Sequence, residues 1–353
     1  MIDEIISRRE GAVGRITLNR PKAIHALTQA MCEAMSAALL EWRADPAIDA
    51  VIIDHALGTR GFCAGGDVVM LAKSGAAGGE LADAFFHAEY RLNHLLFTYP
   101  KPTLAIMDGI TMGGGVGIAL PCTHRVATEN TRLAMPETGI GLFPDVGGGW
   151  YLPRLPGRVG EFMALTGARL DGAECHYLGL ATHYIRSDDM PDLIERIVGS
   201  PSRLLGALGA ATTTPPEARI AANESIIQTL FASDRLEEIL AALDADGGDW
   251  ATTEAGTIRT KSPLSCKVSL RLMAEGKHRT SFTEEMAGEY ALASHVARTH
   301  DFHEGVRALL IDKTGAPEWQ PAVPEAVDDA VLDALFAPVA SAWTPFAETE
   351  VPA

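Results

Sequence analysis

Hydrophobic positions early in the chain change period from one segment to the next. Residues 15–19 alternate one by one, with Ile16 and Leu18 on one face and Arg15, Thr17 and Asn19 on the other. That is the pattern of a half-buried strand. The period then lengthens. Thr28 can cap a helix running to about Trp42, with Met31, Met35, Leu39 and Trp42 along one stripe. Ala50-Val-Ile-Ile53 and residues 103–107 are short unbroken apolar runs, the mark of strands covered on both faces. Strands separated by helices predict an α/β arrangement.

The second half reads as helices. Ser262-Pro263 is a cap followed by proline at the first helical position, and Gly276 is a stop. Ser281-Phe-Thr-Glu284 and Asp301-Phe-His-Glu304 both have the capping-box pattern. The Gly/Ala/Ser-rich stretch 73–80 predicts a mobile surface loop, and the composition shift at 204–216 marks a boundary. Beyond Gly315 the chain is rich in proline and alanine, which predicts an extended, partly disordered tail. The divisions expected are a catalytic core over 1–205, a helical region over 206–320 and a Pro/Ala-rich tail over 321–353.

Composition narrows the function classes. A net charge of −17 disfavours nucleic acid or an anionic membrane as the main partner. Five scattered cysteines, with no CxxC or Cys/His spacing, predict neither a disulfide framework nor a metal site. They fit reduced thiols in a cytoplasmic protein. The start, Met1-Ile-Asp-Glu-Ile-Ile6, lacks a basic region followed by an apolar core, so no signal peptide is expected. No apolar run is long enough to span a bilayer.

Candidate chemistry centres on residues 136–149. Glu137 and Asp145 stand there among apolar residues, prolines and glycines. A carboxylate held in such surroundings is either paired or has its proton affinity raised, and both outcomes suit acid–base or nucleophilic work. A structural role, capping backbone donors or forming a Pro-Asp turn, is the competing reading. Two glycine-rich segments, Phe62-Cys-Ala-Gly-Gly-Asp67 and Gly113-Gly-Gly115, follow strands. They can be ordinary turns, or can leave backbone N–H groups free to form an oxyanion hole. Phosphate cradling fits less well, since Gly115-Val-Gly117-Ile-Ala-Leu120 lacks the third glycine of a dinucleotide fingerprint. GxSxG, HExxH and GxxxxGK[ST] are all absent.

Taken in order, Ile16-Thr-Leu-Asn-Arg-Pro21 with Ala26-Leu27, Phe62-Cys-Ala-Gly-Gly-Asp67, Lys101-Pro102, Asp108-Gly109, Gly113-Gly-Gly115 and Leu133-Ala-Met-Pro-Glu137 resemble the crotonase (enoyl-CoA hydratase/isomerase) superfamily. The resemblance implies a ββα spiral core with a helical C-terminal region. Within the superfamily, Met135-Pro-Glu-Thr-Gly-Ile-Gly-Leu-Phe-Pro-Asp-Val-Gly-Gly-Gly149, Tyr151-Leu-Pro-Arg-Leu155, Glu289-Tyr290 and Asp301-Phe-His-Glu-Gly-Val-Arg-Ala308 look like the 3-hydroxyisobutyryl-CoA hydrolase branch. Hydratases of the superfamily carry a glutamate three residues after the middle glycine of GGG. The matching position here is Gly117.

The resemblance therefore implies hydrolysis of a short branched 3-hydroxyacyl-CoA thioester, as in valine breakdown. Glu137 would act as base or nucleophile and Asp145 as its partner. Ala64 and Gly114 would supply the oxyanion N–H groups, with Glu89, Gly66, Asp67 and Ala26 near the substrate. From its helical setting alone, Glu89 could equally be a solvated position or pair with Arg91. Cys63 reads as an apolar filler, and the side chain of His25 as incidental. No cofactor is expected beyond the coenzyme A of the substrate, and a trimer-based homo-oligomer is possible. Lys267, Arg271, Lys277 and Arg279 are the basic candidates for the CoA phosphates. The alternatives are a hydratase or isomerase using Glu137 alone, and a catalytically silent CoA-binding protein.

Overall fold

The computed structural model describes residues 4–347. The strands β1 (Ile5–Glu10) and β2 (Val13–Leu18) form an antiparallel hairpin, and the helix α1 (Gln29–Ala44) follows. The chain then winds as a spiral. β3 (Ala50–His55) and β4 (Gly61–Cys63) lead into the helices α2 (Val68–Ala76) and α3 (Glu80–Phe97). β5 (Thr103–Met107) and β6 (Ile110–Met112) lead into α4 (Gly114–Ala119), and β7 (His124–Ala127) and β8 (Arg132–Ala134) complete the third pass. Each pass gives one strand to each of two sheets. With β9 (Leu170–Asp171) and β10 (His183–Tyr184), the larger sheet has the order β1-β2-β3-β5-β7-β10 and the smaller β4-β6-β8-β9. This is the expected α/β spiral with a helical C-terminal region.

The unbroken apolar runs are explained by two separate cores. Ile52, Leu104 and Ile106 face Leu193, Ile197, Leu204 and Leu208 on one side of the larger sheet. Val51, Ile53 and Ala105 face Met35 and Leu39 of α1 on the other. Strands dry on both faces cannot alternate. Thr17, on the polar face of β2, is also buried. Its hydroxyl donates to Asp54 at 2.6 Å, and the Arg15 guanidinium grips the same carboxylate at 2.6 and 2.8 Å. A satisfied ion pair, rather than water, covers that face.

Three expectations are corrected. Residues 73–80 are not a mobile loop: α2 runs through Ala76, and Gly75 is there for close packing. A Cβ on Gly75 would sit 1.9 Å from the Ala297 carbonyl oxygen. The composition shift at 204–216 coincides with a helix, Leu204–Ala211, that lies on the larger sheet. The Asp301 pattern is not a cap. Thr299 caps the His300–Val306 helix by accepting from the Phe302 N–H. The Asp301 carboxylate instead accepts from the Ser262 hydroxyl at 2.5 Å and the Gln320 N–H at 2.7 Å. The tail, in its described part, contains a helix, Asp329–Leu335, and buries Leu332, Leu335 and Trp343.

The predicted caps elsewhere are present. Thr28 accepts from the Met31 N–H, Ser262 from Ser265 and Ser281 from Glu284. The Phe282–Val296 helix packs against α3, and the His300–Val306 helix against α2. The second half of the chain thus covers the helices that carry the site. Among the described residues, no helix is long and apolar enough to cross a membrane.

Candidate active site

Three carboxylates from three elements meet at one cavity of about 400 Å³. Its lining includes Glu89, Glu137 and Asp145 together with Ala64, Gly66, Gly113 and Gly114. Glu137 opens a 3₁₀ turn just after β8 and Met135-Pro136. The turn ends at Gly141, whose φ of +77° and contact with the Asp301 backbone both exclude a side chain. Asp145 lies on the extended segment that follows. Glu89 comes from the inner face of α3 and is only 2% exposed, with Glu137 and Asp145 each at 5%. Glu89 is therefore not on a solvated helix face.

The glycines fit because the carboxylates press on them. A Cβ on Gly114 would lie 2.3 Å from Glu89 Oε1, and one on Gly113 would lie 3.0 Å from Glu137 Oε1. Neither Glu89 Oε1 nor Glu137 Oε2 has a hydrogen-bond partner among the described residues. Two buried, unsatisfied carboxylate oxygens facing a cavity are costly unless a ligand or proton meets them. Asp145 is better held, since the Tyr90 hydroxyl donates to its Oδ2 at 2.7 Å.

The protonation equilibria follow from this crowding. Burial, and then the Asp145 carboxylate, push Glu137 well above the usual carboxylate range. Burial, then Asp145, then Glu137 do the same to Glu89. Burial raises Asp145 to about 6, with the Tyr90 hydroxyl pulling the other way. Carboxyl groups with proton affinities raised in this way can hold and pass a proton, as acid–base catalysis requires.

One of the expected oxyanion donors is corrected by its hydrogen bond. The Ala64 N–H donates to the Ile24 carbonyl at 2.9 Å, so loop structure consumes it. Two residues on, the Gly66 N–H donates to no acceptor among the described residues, and neither does the Gly114 N–H. The two glycines are close: a Cβ on Gly114 would be 3.3 Å from the Gly65 carbonyl carbon, the atom bonded to Gly66 N. The free donor pair is Gly66 and Gly114.

Ala26 and Asp67 do not line the cavity. Asp67 caps α2 by accepting from the Met70 N–H and pairs with Arg20 at 3.0 Å. The Ala26 carbonyl accepts from Arg20 at 2.9 Å. His25 is not incidental. Its Nδ1 accepts from the Arg20 N–H at 2.9 Å and its Nε2 reaches the Thr59 hydroxyl at 2.9 Å, which pins this loop at a φ of +57°. Burial, then the neighbouring His55, lower its pKa to about 4, so it stays neutral. Cys63 is fully buried, and burial pushes its thiol up to about 12, as suits a filler.

Three of the four basic candidates are paired elsewhere. Lys267 meets Glu237 at 2.5 Å, Arg271 meets Glu275 and Asp333, and Arg279 meets Glu275 and Glu285. None of the four, Lys277 included, lines the cavity. The cations that do are Arg169 and Lys261, neither with an ion-pair partner among the described residues. Burial lowers the Lys261 pKa. Sequence reading missed both, and also Tyr90. The one available signal for Tyr90 was its place beside Glu89.

Gly117 has no room for the hydratase carboxylate. A Cβ there would lie 2.5 Å from Val146 Cβ and 3.0 Å from the Asn93 amide nitrogen, which itself donates to the Gly117 carbonyl at 2.9 Å. The family profile for enoyl-CoA hydratase/isomerase matches residues 13–336. The chain belongs to the enoyl-CoA hydratase/isomerase family.

Its relatives in that family include the mitochondrial 3-hydroxyisobutyryl-CoA hydrolase of Gallus gallus, 41% identical over 95% of this chain and 89% of the relative. The Homo sapiens enzyme of the same name is 41% identical over 91% and 85%. Among solved structures, a carnitinyl-CoA dehydratase from Mycobacterium thermoresistibile superposes with a TM-score of 0.93 at 39% identity, covering 97% of this chain and 98% of that one. An enoyl-CoA hydratase from Rhodobacter sphaeroides 2.4.1 gives 0.90 at 38% identity, covering 97% and 99%.

Proposed function

We propose that this family member hydrolyses a short branched 3-hydroxyacyl-CoA, with 3-hydroxyisobutyryl-CoA as the first candidate. The observation that carries the reading is the pairing of Glu137 with Asp145 in a cavity whose Gly117 side is closed by Val146. Hydration of a double bond on the hydratase pattern needs a second glutamate at that closed position. Thioester hydrolysis needs one carboxylate to activate water or attack the acyl carbon, and a site for the oxyanion.

In this reading the thioester oxygen lies between the Gly66 and Gly114 N–H groups. One such donor lowers the barrier by about 3 kcal/mol. Glu137, beside the Gly113–Gly114 peptide, takes the proton of the attacking water or forms a mixed anhydride that water then cleaves. The C–S bond breaks and coenzyme A leaves as the thiol. Asp145 shares proton transfer or receives the substrate hydroxyl. Glu89 lines the same cavity. Arg169 and Lys261 offer local positive charge to the CoA phosphates in a protein of net charge −17. A cytoplasmic setting is part of the proposal, since all five cysteines are buried free thiols. The relatives named above carry a mitochondrial designation.

The two solved neighbours bear hydratase and dehydratase names, which makes hydration the second reading. Incubation with 3-hydroxyisobutyryl-CoA and with crotonyl-CoA separates them. The expected result is free thiol from the first and no water adduct from the second. Hydration of crotonyl-CoA without thiol release would reverse the assignment.

A further inference from the structure

The segment after Asp145 is strained. Val146 sits at a φ of +53°, a region that a β-branched residue rarely adopts, and Gly147 follows at +92°. Such a conformation persists only when its surroundings over-determine it. Packing of Val146 against Gly117 holds one side, and the Tyr90 hydroxyl holds the Asp145 carboxylate. The remaining restraint comes from far along the chain. Glu289, on the Phe282–Val296 helix and 0% exposed, accepts from the Gly147 N–H at 2.7 Å and the Gly149 N–H at 3.0 Å.

We propose that Glu289 is a positioning residue for this reaction: its carboxylate clamps both N–H groups after the strained Val146 and so aims Asp145 into the cavity. A buried carboxylate is a costly choice for that task. Burial, then the neighbouring Glu285, raise its proton affinity, and the two N–H bonds oppose them. Asp145, Tyr90 and Tyr151 also face it. Arg279 lies against Glu285, at 3.3 Å. The grip of Glu289 falls on the loop that bears Asp145, which points to alignment of the site.

The inference rests on the hydrolase reading for its kinetic arm alone. The test measures thiol release, CoA binding and hydrogen exchange for Glu289→Ala and Glu289→Gln, per folded molecule. Glu289→Ala should lower kcat about 100-fold, the size of effect that a misplacement near 1 Å produces. KM and the Kd for free CoA should stay within about twofold, because the clamp touches no substrate. Exchange in 145–149 should accelerate. Glu289→Gln keeps one carbonyl oxygen and should fall between, and being isosteric it decides the matter where the alanine variant does not fold. Unchanged kcat in the glutamine variant with unchanged exchange would overturn the proposal, as would a loss confined to KM. Absence of thiol release by the unaltered protein would count against the hydrolase reading, while the exchange arm would still read the clamp.

Discussion

Glu137 and Asp145 are legible in the sequence because carboxylates among prolines, glycines and apolar residues are rare enough to demand a reason. Their burial has a thermodynamic consequence. Asp145 has its folded pKa raised to about 6 from an ordinary 3.8. The unfolded chain therefore loses this proton first as pH rises. Stability that is fully present below pH ~4 is lost as pH climbs through about 6, and the deficit is then constant. Asp145→Asn removes that deficit while keeping an acceptor for Tyr90. Thermal melts should show the variant more stable than the parent by about 3 kcal/mol above pH 7, with the advantage fading towards pH 4. An equal difference at both pH values would contradict the assignment of a raised proton affinity. The donor pair was less legible. Sequence shows a run of small residues but not that the Ile24 carbonyl consumes the Ala64 N–H, which moves the free donor to Gly66.

The alternating strand, the Thr28-capped helix and the buried strands all follow from local pattern, and the structure contains each of them. What failed were segments judged by average composition. The tail is rich in proline and alanine, yet a few large apolar anchors fix it. Trp343 is buried and meets His94 of α3 edge-on, with ring centroids 5.7 Å apart. Trp343→Ala should lower stability by about 3 kcal/mol, read as a shift in denaturant midpoint. A change within about 0.5 kcal/mol would mean that the tail does not dock. Likewise, the Asp301 pattern does not start a helix, because a cap two residues earlier, Thr299, is equally available. Only packing decides which of two competing caps starts a helix.

The whole molecule is organised so that distant parts of the chain close one cavity. The spiral brings Gly66 and Gly114 together, α3 adds Glu89 and Tyr90, and the second half adds Lys261 and the Glu289 contacts, 142 and 140 residues away in sequence. Contacts at that separation leave no trace in periodicity, which is why Glu289 carried no predicted role. We propose that Glu137 and Asp145 cleave a thioester in this cavity. The most direct measurement is the initial rate of thiol release from 3-hydroxyisobutyryl-CoA by the unaltered protein, Glu137→Gln and Asp145→Asn. The unaltered protein should turn over, and kcat should be lower by about a thousandfold in Glu137→Gln, as expected for loss of an essential base or nucleophile. Asp145→Asn should lose less. Thiol release by Glu137→Gln at the parent rate would overturn this assignment.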